Sequence, residues 1–254
     1  MSTTHGIGFG SDVGFRPQSP GSNRGYSRND RQDRGRILDV NNFDAIRISL
    51  ASPEAIRHLL RFMQDAGGGI PIEVHCHDDF GLATANTVAA ALGGADYLSV
   101  TVNGLGERSG NAALEEVVAA LTIVYGIDTG IDLAGLTAIS RLVEDCAVVP
   151  LQPHKPVVGT NSFAHESGLV VSGLLRDPFT AEAYDPTLVG QTRRIVVGKK
   201  SGRASIEAKL DELYGSGQAP DLDLGWLVAK VKQRSEELGR SLHDAEVREL
   251  VDSV

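Results

Sequence analysis

His75 and His77 stand two residues apart on a short, largely apolar run, Ile72-Glu73-Val74-His75-Cys76-His77. Successive side chains of a β-strand point to opposite faces, so both imidazoles project from one face and their nitrogens can reach one divalent ion. Asp78 and Asp79 follow directly. They have two readings, as carboxylates for that ion or as acids favoured at the N-terminus of a following helix. Further on, Thr101-Val102-Asn103-Gly104-Leu105-Gly106-Glu107-Arg108-Ser109-Gly110-Asn111 reads as a strand end running into a Gly-rich polar loop, from which another oxygen ligand can come.

These residues need a frame. Ala45-Ile46-Arg47-Ile48 reads as a short strand, and Ser52-Pro53-Glu54 opens a helix with an N-cap, a proline at the first position and an early acid. That helix runs to about Ala66 and stops at Gly67-Gly68-Gly69. The pattern then predicts a strand over 70–77, a helix over 82–92, a strand over 97–102 and a helix over 111–124. The last carries Leu114, Val117, Val118 and Leu121 at helical spacing. Strand and helix alternating at this rhythm imply βαβ units around a parallel sheet. Beyond about Asp132 the rhythm breaks. Helices are expected over 133–148, 201–214, 224–239 and 244–251, with a Pro-rich connection over 150–163 and a short extended piece over 195–199.

Three regions follow: a tail over 1–42, a region of βα units over 43–131, and a mostly helical region over 132–254. The tail is rich in Gly, Ser, Asn, Asp and Arg, has almost no large apolar side chain, and is expected to be disordered. Arg16, Arg24, Arg28, Arg31, Arg34 and Arg36 make it locally basic, but Asp12, Asp30 and Asp33 dilute the charge, so it reads as a solvated tail. The 254 residues are 41% apolar, enough for a core, and the net charge of −9 gives no general attraction to nucleic acid or anionic lipid. No apolar run approaches the ~20 residues of a spanning helix, and no secretory h-region opens the chain, so a cytoplasmic location is expected. Cys76 and Cys146 do not form a disulfide framework, and both are expected reduced and buried.

Two segments together carry a resemblance: Glu73-Val74-His75-Cys76-His77-Asp78-Asp79-Phe80-Gly81-Leu82-Ala83-Thr84-Ala85-Asn86 and Asn103-Gly104-Leu105-Gly106-Glu107-Arg108-Ser109-Gly110-Asn111. Lys155-Pro156-Val157-Val158-Gly159, Phe163-Ala164-His165-Glu166-Ser167-Gly168, Tyr184-Asp185-Pro186 and Gly198-Lys199-Lys200-Ser201-Gly202-Arg203 support it. From about residue 43 onward the chain resembles the homocitrate synthase and isopropylmalate synthase family of metal-dependent acyltransferases. The resemblance implies an α/β fold, a partial (β/α)8 TIM barrel of about the last three βα units, followed by a helical C-terminal appendage. It also implies that His75, His77 and Asn111 line a divalent metal (Mg, Mn or Zn), which holds a 2-oxo acid and polarises its ketone. Acetyl-CoA would be the second substrate, deprotonated at its methyl before it adds to the ketone. Glu107 and Arg108 would lie at the barrel mouth near substrate, with a solvated ion pair as the alternative.

The departures from the family pattern carry their own expectations. No strand with an Asp-Arg-Glu type motif precedes residue 43, five of eight βα units are absent, and Arg47-Ile48-Ser49 runs straight into Leu50 where an Asp-Thr-x-Gly segment is usual. Without that carboxylate, two imidazoles and an amide make a weak metal site. The family's acid/base His and Tyr positions are Val170 and Ala181, an Asp position is Ser172, and Lys200 stands where His is common. Val and Ala transfer no proton, so no catalytic residue is intact and the isolated chain is expected weak or inactive. Three parallel strands alone would also leave an edge and a face open, which predicts poor solubility. A homodimer is expected, or a heterodimer with a chain supplying the N-terminal strands, and a non-catalytic dimerisation partner is the rival reading. Only two or three helices follow the Gly198–Arg203 segment, with no room for a leucine-sensing domain, which tilts the expectation toward 2-oxoglutarate and homocitrate. His165 is expected to be a buried, hydrogen-bonded histidine. The basic cluster Arg193, Arg194, Lys199, Lys200 and Arg203 is expected to be a solvated face, with a contact to coenzyme A phosphates as the sharper alternative.

Overall fold

A computed structural model describes residues 51–66, 69 and 71–253. The tail over 1–42, the strand expected at 45–48 and the Ser49-Leu50 junction lie outside the described residues, as do Gly67, Gly68 and Ile70. The described chain forms two compact units, divided between Leu151 and Gln152. That division lies later than the change of rhythm near Asp132, because the helix after it packs on the polar loop of the first unit. No described helix is long and apolar enough to cross a membrane.

In the first unit, α1 (Pro53–Ala66) starts where expected. Ser52 Oγ accepts from Ala55 N at 3.3 Å, and Pro53 needs no hydrogen-bond partner at this position. Ile56 and Leu60, one turn apart, face the core. Strand β1 (Glu73–His75) pairs in parallel with β2 (Tyr97–Ser99), Val74 opposite Leu98, and α2 (Ala83–Leu92) is the crossover between them. Side-chain alternation along β1 sends Ile72, Val74 and Cys76 into the core and puts Glu73, His75 and His77 on the other, half-buried face. The crossover helix is small and apolar on almost every side, with Ala83, Val88, Ala89 and Ala90 buried.

Both strands are shorter than expected. After His75 the backbone of β1 turns from β2 to the polar loop: Cys76 O accepts from Ala112 N at 3.1 Å, Asp78 N donates to Gly110 O at 2.9 Å, and His77 bridges Asn111. Those bonds occupy residues 110–112, so helix α3 (Leu114–Ala119) begins three residues late and then widens into a π turn at Ala120–Val124. Leu114, Val117, Val118 and Leu121 are all buried, as their spacing predicts. After a turn at Leu133–Gly135 comes α4 (Leu136–Ala147), closed by Val148 in the left-handed region at φ 56°. Cys76 is buried, but Cys146 is exposed. It sits on the outer side of α4, so the expectation of burial fails there: one residue's position on a helix face depends on what that face packs against.

The second unit is built on helices. Strand β3 (Ala164–His165) pairs in parallel with β4 (Arg194–Ile195), with α5 (Gly168–Leu174) between them in sequence, an element the sequence pattern did not predict. Helices α6 (Arg203–Tyr214), α7 (Leu224–Leu238) and α8 (Asp244–Asp252) lie close to the expected ranges. Val197, Ile206, Leu210, Leu227, Val231, Leu242, Val247 and Val251 form their shared core. Lys209 is buried among them, with Nζ 3.0 Å from both Asp244 Oδ1 and Glu212 Oε2.

Glu246 ties α8 to the preceding turn. It accepts two bonds from the Arg240 guanidinium at 2.8 Å each and one from His243 N at 2.7 Å, forming a capping box. Chiefly through the Arg240 bonds, its carboxyl is pulled from 4.5 down to about 2. A depressed folded-state value adds stability above the ordinary carboxylate range and loses it as pH falls toward 2. Thermal melts of Glu246→Gln are therefore expected to lie below wild type at pH 7 and to converge with it by pH 2. A gap that stays constant with pH would mean that the Arg240 and His243 bonds add nothing specific to the ionised carboxylate.

Candidate metal site

His75 and His77 leave β1 on one face, their ring centroids 4.9 Å apart and edge to face. His75 Nδ1 lies 3.0 Å from Ser99 Oγ, on the residue directly opposite it in the parallel ladder. With the proton on Nδ1 donated to that hydroxyl, Nε2 carries the lone pair, the usual way a ligating imidazole is held by an outer partner. His77 Nδ1 is buried and has no hydrogen-bond partner. Asn111, bridged to His77 through the backbone, donates from Nδ2 to Leu105 O at 3.3 Å, while its Oδ1 is buried and unpartnered.

Buried polar atoms are rarely left unpaired, and each such atom costs on the order of 1–3 kcal/mol. Here two acceptor-capable atoms, His77 Nδ1 and Asn111 Oδ1, lie on backbone-paired neighbours beside a third residue of ligand type. Imidazole nitrogen and amide oxygen suit a borderline dication such as zinc or manganese, so the residues present fit part of a metal's coordination shell. Among the described residues no group of three or more His, Cys, Asp or Glu side chains could hold an ion.

Neither neighbouring acid is turned to these residues. Asp78 Oδ1 accepts from Ala83 N at 2.8 Å and so caps the start of α2. Asp79 takes both guanidinium contacts of Arg108, at 2.9 and 3.1 Å. That pair is largely exposed and joins the loop after β1 to the loop after β2; the Asp79 bond raises the Arg108 pKa. Glu107 stands next to it on the exposed loop. Cys76, between the histidines but on the core face, has its thiol pushed up to about 11 by burial, partly offset by a bond to Thr87. It stays a thiol at neutral pH and is no ligand.

The loop that carries Asn111 is shaped by close approaches. Asn111 N donates to Gly104 O at 2.9 Å. A Cβ on Gly106 would fall 2.5 Å from Asn111 Nδ2, so the amide packs flat on that glycine. Asn103 is left-handed at φ 62° and is anchored by Glu115, which accepts from Asn103 N at 3.0 Å, and by Ser140. Ser99, Glu115 and Ser140 had no signal in the sequence, and Asn103 stood only as a member of the motif segment with no role read for it, because each acts through a partner 12 to 37 residues away.

In the second unit, His165 is hydrogen-bonded and mostly buried, with Nε2 3.2 Å from Glu182 Oε1. Glu182 also takes the Arg193 guanidinium in two bonds, at 2.8 and 2.6 Å, which hold its carboxyl below the usual range. The basic cluster is thereby dispersed. Arg193 clamps Glu182, Arg194 donates to Thr160 O, and Lys199 pairs with Glu236. Val170 and Ala181 are both partly or fully exposed.

Residues 40–143 match the HMGL-like family model, and residues 157–221 match the model described as homocitrate synthase post-HMGL domain-like. The chain is 43% identical to a probable 2-isopropylmalate synthase of Ignicoccus hospitalis, over 82% of this chain and 51% of that protein. It is 44% identical to an (R)-citramalate synthase of Methanocaldococcus jannaschii, over 82% and 41% respectively. Against a homocitrate synthase of Methanopyrus kandleri the identity is 46%, over 73% of this chain and 46% of the relative. The chain thus spans about half the length, or less, of these relatives. With both regions present in this order, and the His75, His77 and Asn111 segments inside the first, the chain belongs to the homocitrate synthase and 2-isopropylmalate synthase family.

Proposed function

We propose that this chain supplies the His-x-His half of the active site of an acyltransferase that condenses acetyl-CoA with a 2-oxo acid. The carrying observation is the convergence of His75, His77 and Asn111, two of them with buried polar atoms that have no other partner. His75, held by Ser99, and His77 supply imidazole nitrogens, and Asn111 an amide oxygen, to Mg, Mn or Zn. When bound, such an ion acts as a Lewis acid on the keto oxygen of the 2-oxo acid. Asp79 and Arg108 hold the two loops together at the rim, with Glu107 and Arg108 placed toward substrate. With no carboxylate among the three residues, the ion is held weakly by this chain alone.

The rest of the chemistry needs groups from elsewhere. Val170 and Ala181 occupy the positions of the family's acid/base pair and cannot move a proton from the acetyl methyl. By the family resemblance the parallel pair β1–β2 belongs to a (β/α)8 barrel, which a heterodimer with a chain supplying the N-terminal strands completes; a homodimer is the other assembly proposed. The location is cytoplasmic, as for a biosynthetic enzyme. Relatives named for three different products are 43–46% identical, so the 2-oxo acid is proposed by class, with 2-oxoglutarate the first to test.

A second reading is a non-catalytic partner that docks on a full-length relative. It is favoured by the same Val170 and Ala181, and by Leu169, 86% exposed beside Val170. Coenzyme A release from acetyl-CoA with 2-oxoglutarate and Mn separates the two. The chain alone is expected to be silent. Mixed with a chain carrying the N-terminal barrel strands, the Val170→His, Ala181→Tyr double variant is expected to turn over. No gain from either the mixture or the back-substitutions would leave the docking reading standing and sink the first, and turnover by the unmixed wild-type chain would refute the assignment of Val170 and Ala181.

A further inference from the structure

Ser140 lies on α4 and is fully buried. A serine inside a helix is mildly unfavourable, and its hydroxyl must find a partner when buried. It finds one on another element. Ser140 Oγ bonds Asn103 Oδ1, and Ser140 O accepts from Asn103 Nδ2 at 2.9 Å, so one residue of α4 grips both ends of a single amide. The third polar group of Asn103, its backbone N–H, goes to Glu115 Oε2 on α3 at 3.0 Å. Glu115 is itself buried, at 1% exposure.

The gripped residue is where the loop bends. Asn103 has φ 62°, a left-handed conformation that disfavours most side chains and persists only where the surroundings determine it. The next residue, Gly104, is also left-handed, and its carbonyl receives Asn111 N at 2.9 Å. One peptide therefore separates the amide held by α4 from the carbonyl that places Asn111 beside His77.

We propose that Ser140 is a positioning residue for the loop that carries Asn111, acting through the side chain of Asn103. Its bearing on a metal rests on the reading of His75, His77 and Asn111 given above. In this arrangement α4 is part of the site's support: removing the Ser140 hydroxyl frees Asn103 Oδ1, relaxes the left-handed bend, and lets the Gly104 carbonyl and Asn111 drift from His77.

The test compares Ser140→Ala and Asn103→Gly with Leu60→Ala in the full chain. Asn103→Gly keeps the positive φ and removes only the amide; Leu60 packs α1 against Gly93 and serves as a purely structural control. Two readouts are taken: the side-chain amide resonances of Asn111 in metal-free protein, and Co²⁺ affinity by absorbance titration. Ser140→Ala and Asn103→Gly are expected to shift the Asn111 amide signals and to weaken Co²⁺ binding about tenfold, as for loss of an outer-shell partner. Leu60→Ala is expected to lower the melting temperature more and to change neither readout. Unchanged Asn111 signals in Ser140→Ala, or equal shifts in Leu60→Ala, would overturn the proposal. Should the wild-type chain take up no Co²⁺, the metal reading falls, and the amide resonances alone decide the role of Ser140.

Discussion

Replacing His75 and His77 together with alanine is expected to remove divalent-metal binding while leaving the folded chain almost as stable as before. Each ligand of a transition-metal site contributes a few kcal/mol to binding, so loss of both imidazoles lowers affinity by roughly 10³-fold or more. In the absence of metal the sign of the stability change is the informative part. His77 Nδ1 is buried without a partner, so its removal relieves a desolvated polar group rather than breaking a bond. His75 loses its bond to Ser99 Oγ, on the order of 1 kcal/mol, along with its edge-to-face contact with the His77 ring. A pair of structural histidines would behave in the opposite way, costing several kcal/mol and changing no affinity. Co²⁺ or Mn²⁺ titration with thermal melts of the same samples checks this. A metal-dependent rise in melting temperature in wild type, absent in the double variant, is the expected result. Equal metal-induced shifts in both proteins would refute the assignment of the ion to these residues.

Gly110→Ala is expected to destabilise the first unit by about 3 kcal/mol, which places it among the severe single substitutions. A Cβ there would fall 2.3 Å from the carbonyl oxygen of Gly104, and the backbone stands at φ +97°, where side chains other than hydrogen are strained. The obstacle is backbone, so no side chain can yield. The Gly104–Asn111 turn must open, which would also separate Asn111 from His77 and release Gly110 O from Asp78 N. Gly106→Ala makes a useful contrast. The three atoms nearest its Cβ all belong to the Asn111 side-chain amide, at 2.5 to 2.7 Å, so the stability cost is smaller, but the displaced amide weakens metal binding. Gly81, at φ +71° with open space around it, bears only the conformational term, roughly 1 kcal/mol. Urea unfolding of the three variants should rank them Gly110 first, with Gly106 and Gly81 well behind. A Gly110→Ala chain as stable as the Gly81→Ala chain would mean that the turn is not the tight one described.

Local spacing made some of the molecule readable before any coordinates. Ser52-Pro53 marked a helix start, Leu114, Val117, Val118 and Leu121 marked a buried face, and the two-residue interval of His75 and His77 put both rings on one side of β1. Each of these follows from a period of 3.6 or 2, which the chain carries within a few residues. The resemblance of the two motif segments likewise identified the family, and both regions of the chain bear it out.

What depends on a distant partner was not readable. Ser99 meets His75 only through the register of β1 on β2, 24 residues apart, and Ser140 meets Asn103 only because α4 folds back on the loop, 37 residues away. The strands ended early because loop 110–112 takes the hydrogen bonds that a longer ladder would use. Asp78 and Asp79 could each have been ligands by type. Packing turned one to the N-terminus of α2 and the other to Arg108. Cys146 is exposed because, among the described residues, none covers that side of α4. Side-chain type and spacing thus settled which residues face together along one element. Which element each face meets, and which polar groups are left with no partner but a ligand, was settled by contacts between elements far apart in the chain, whose free energies depend on the whole packed arrangement.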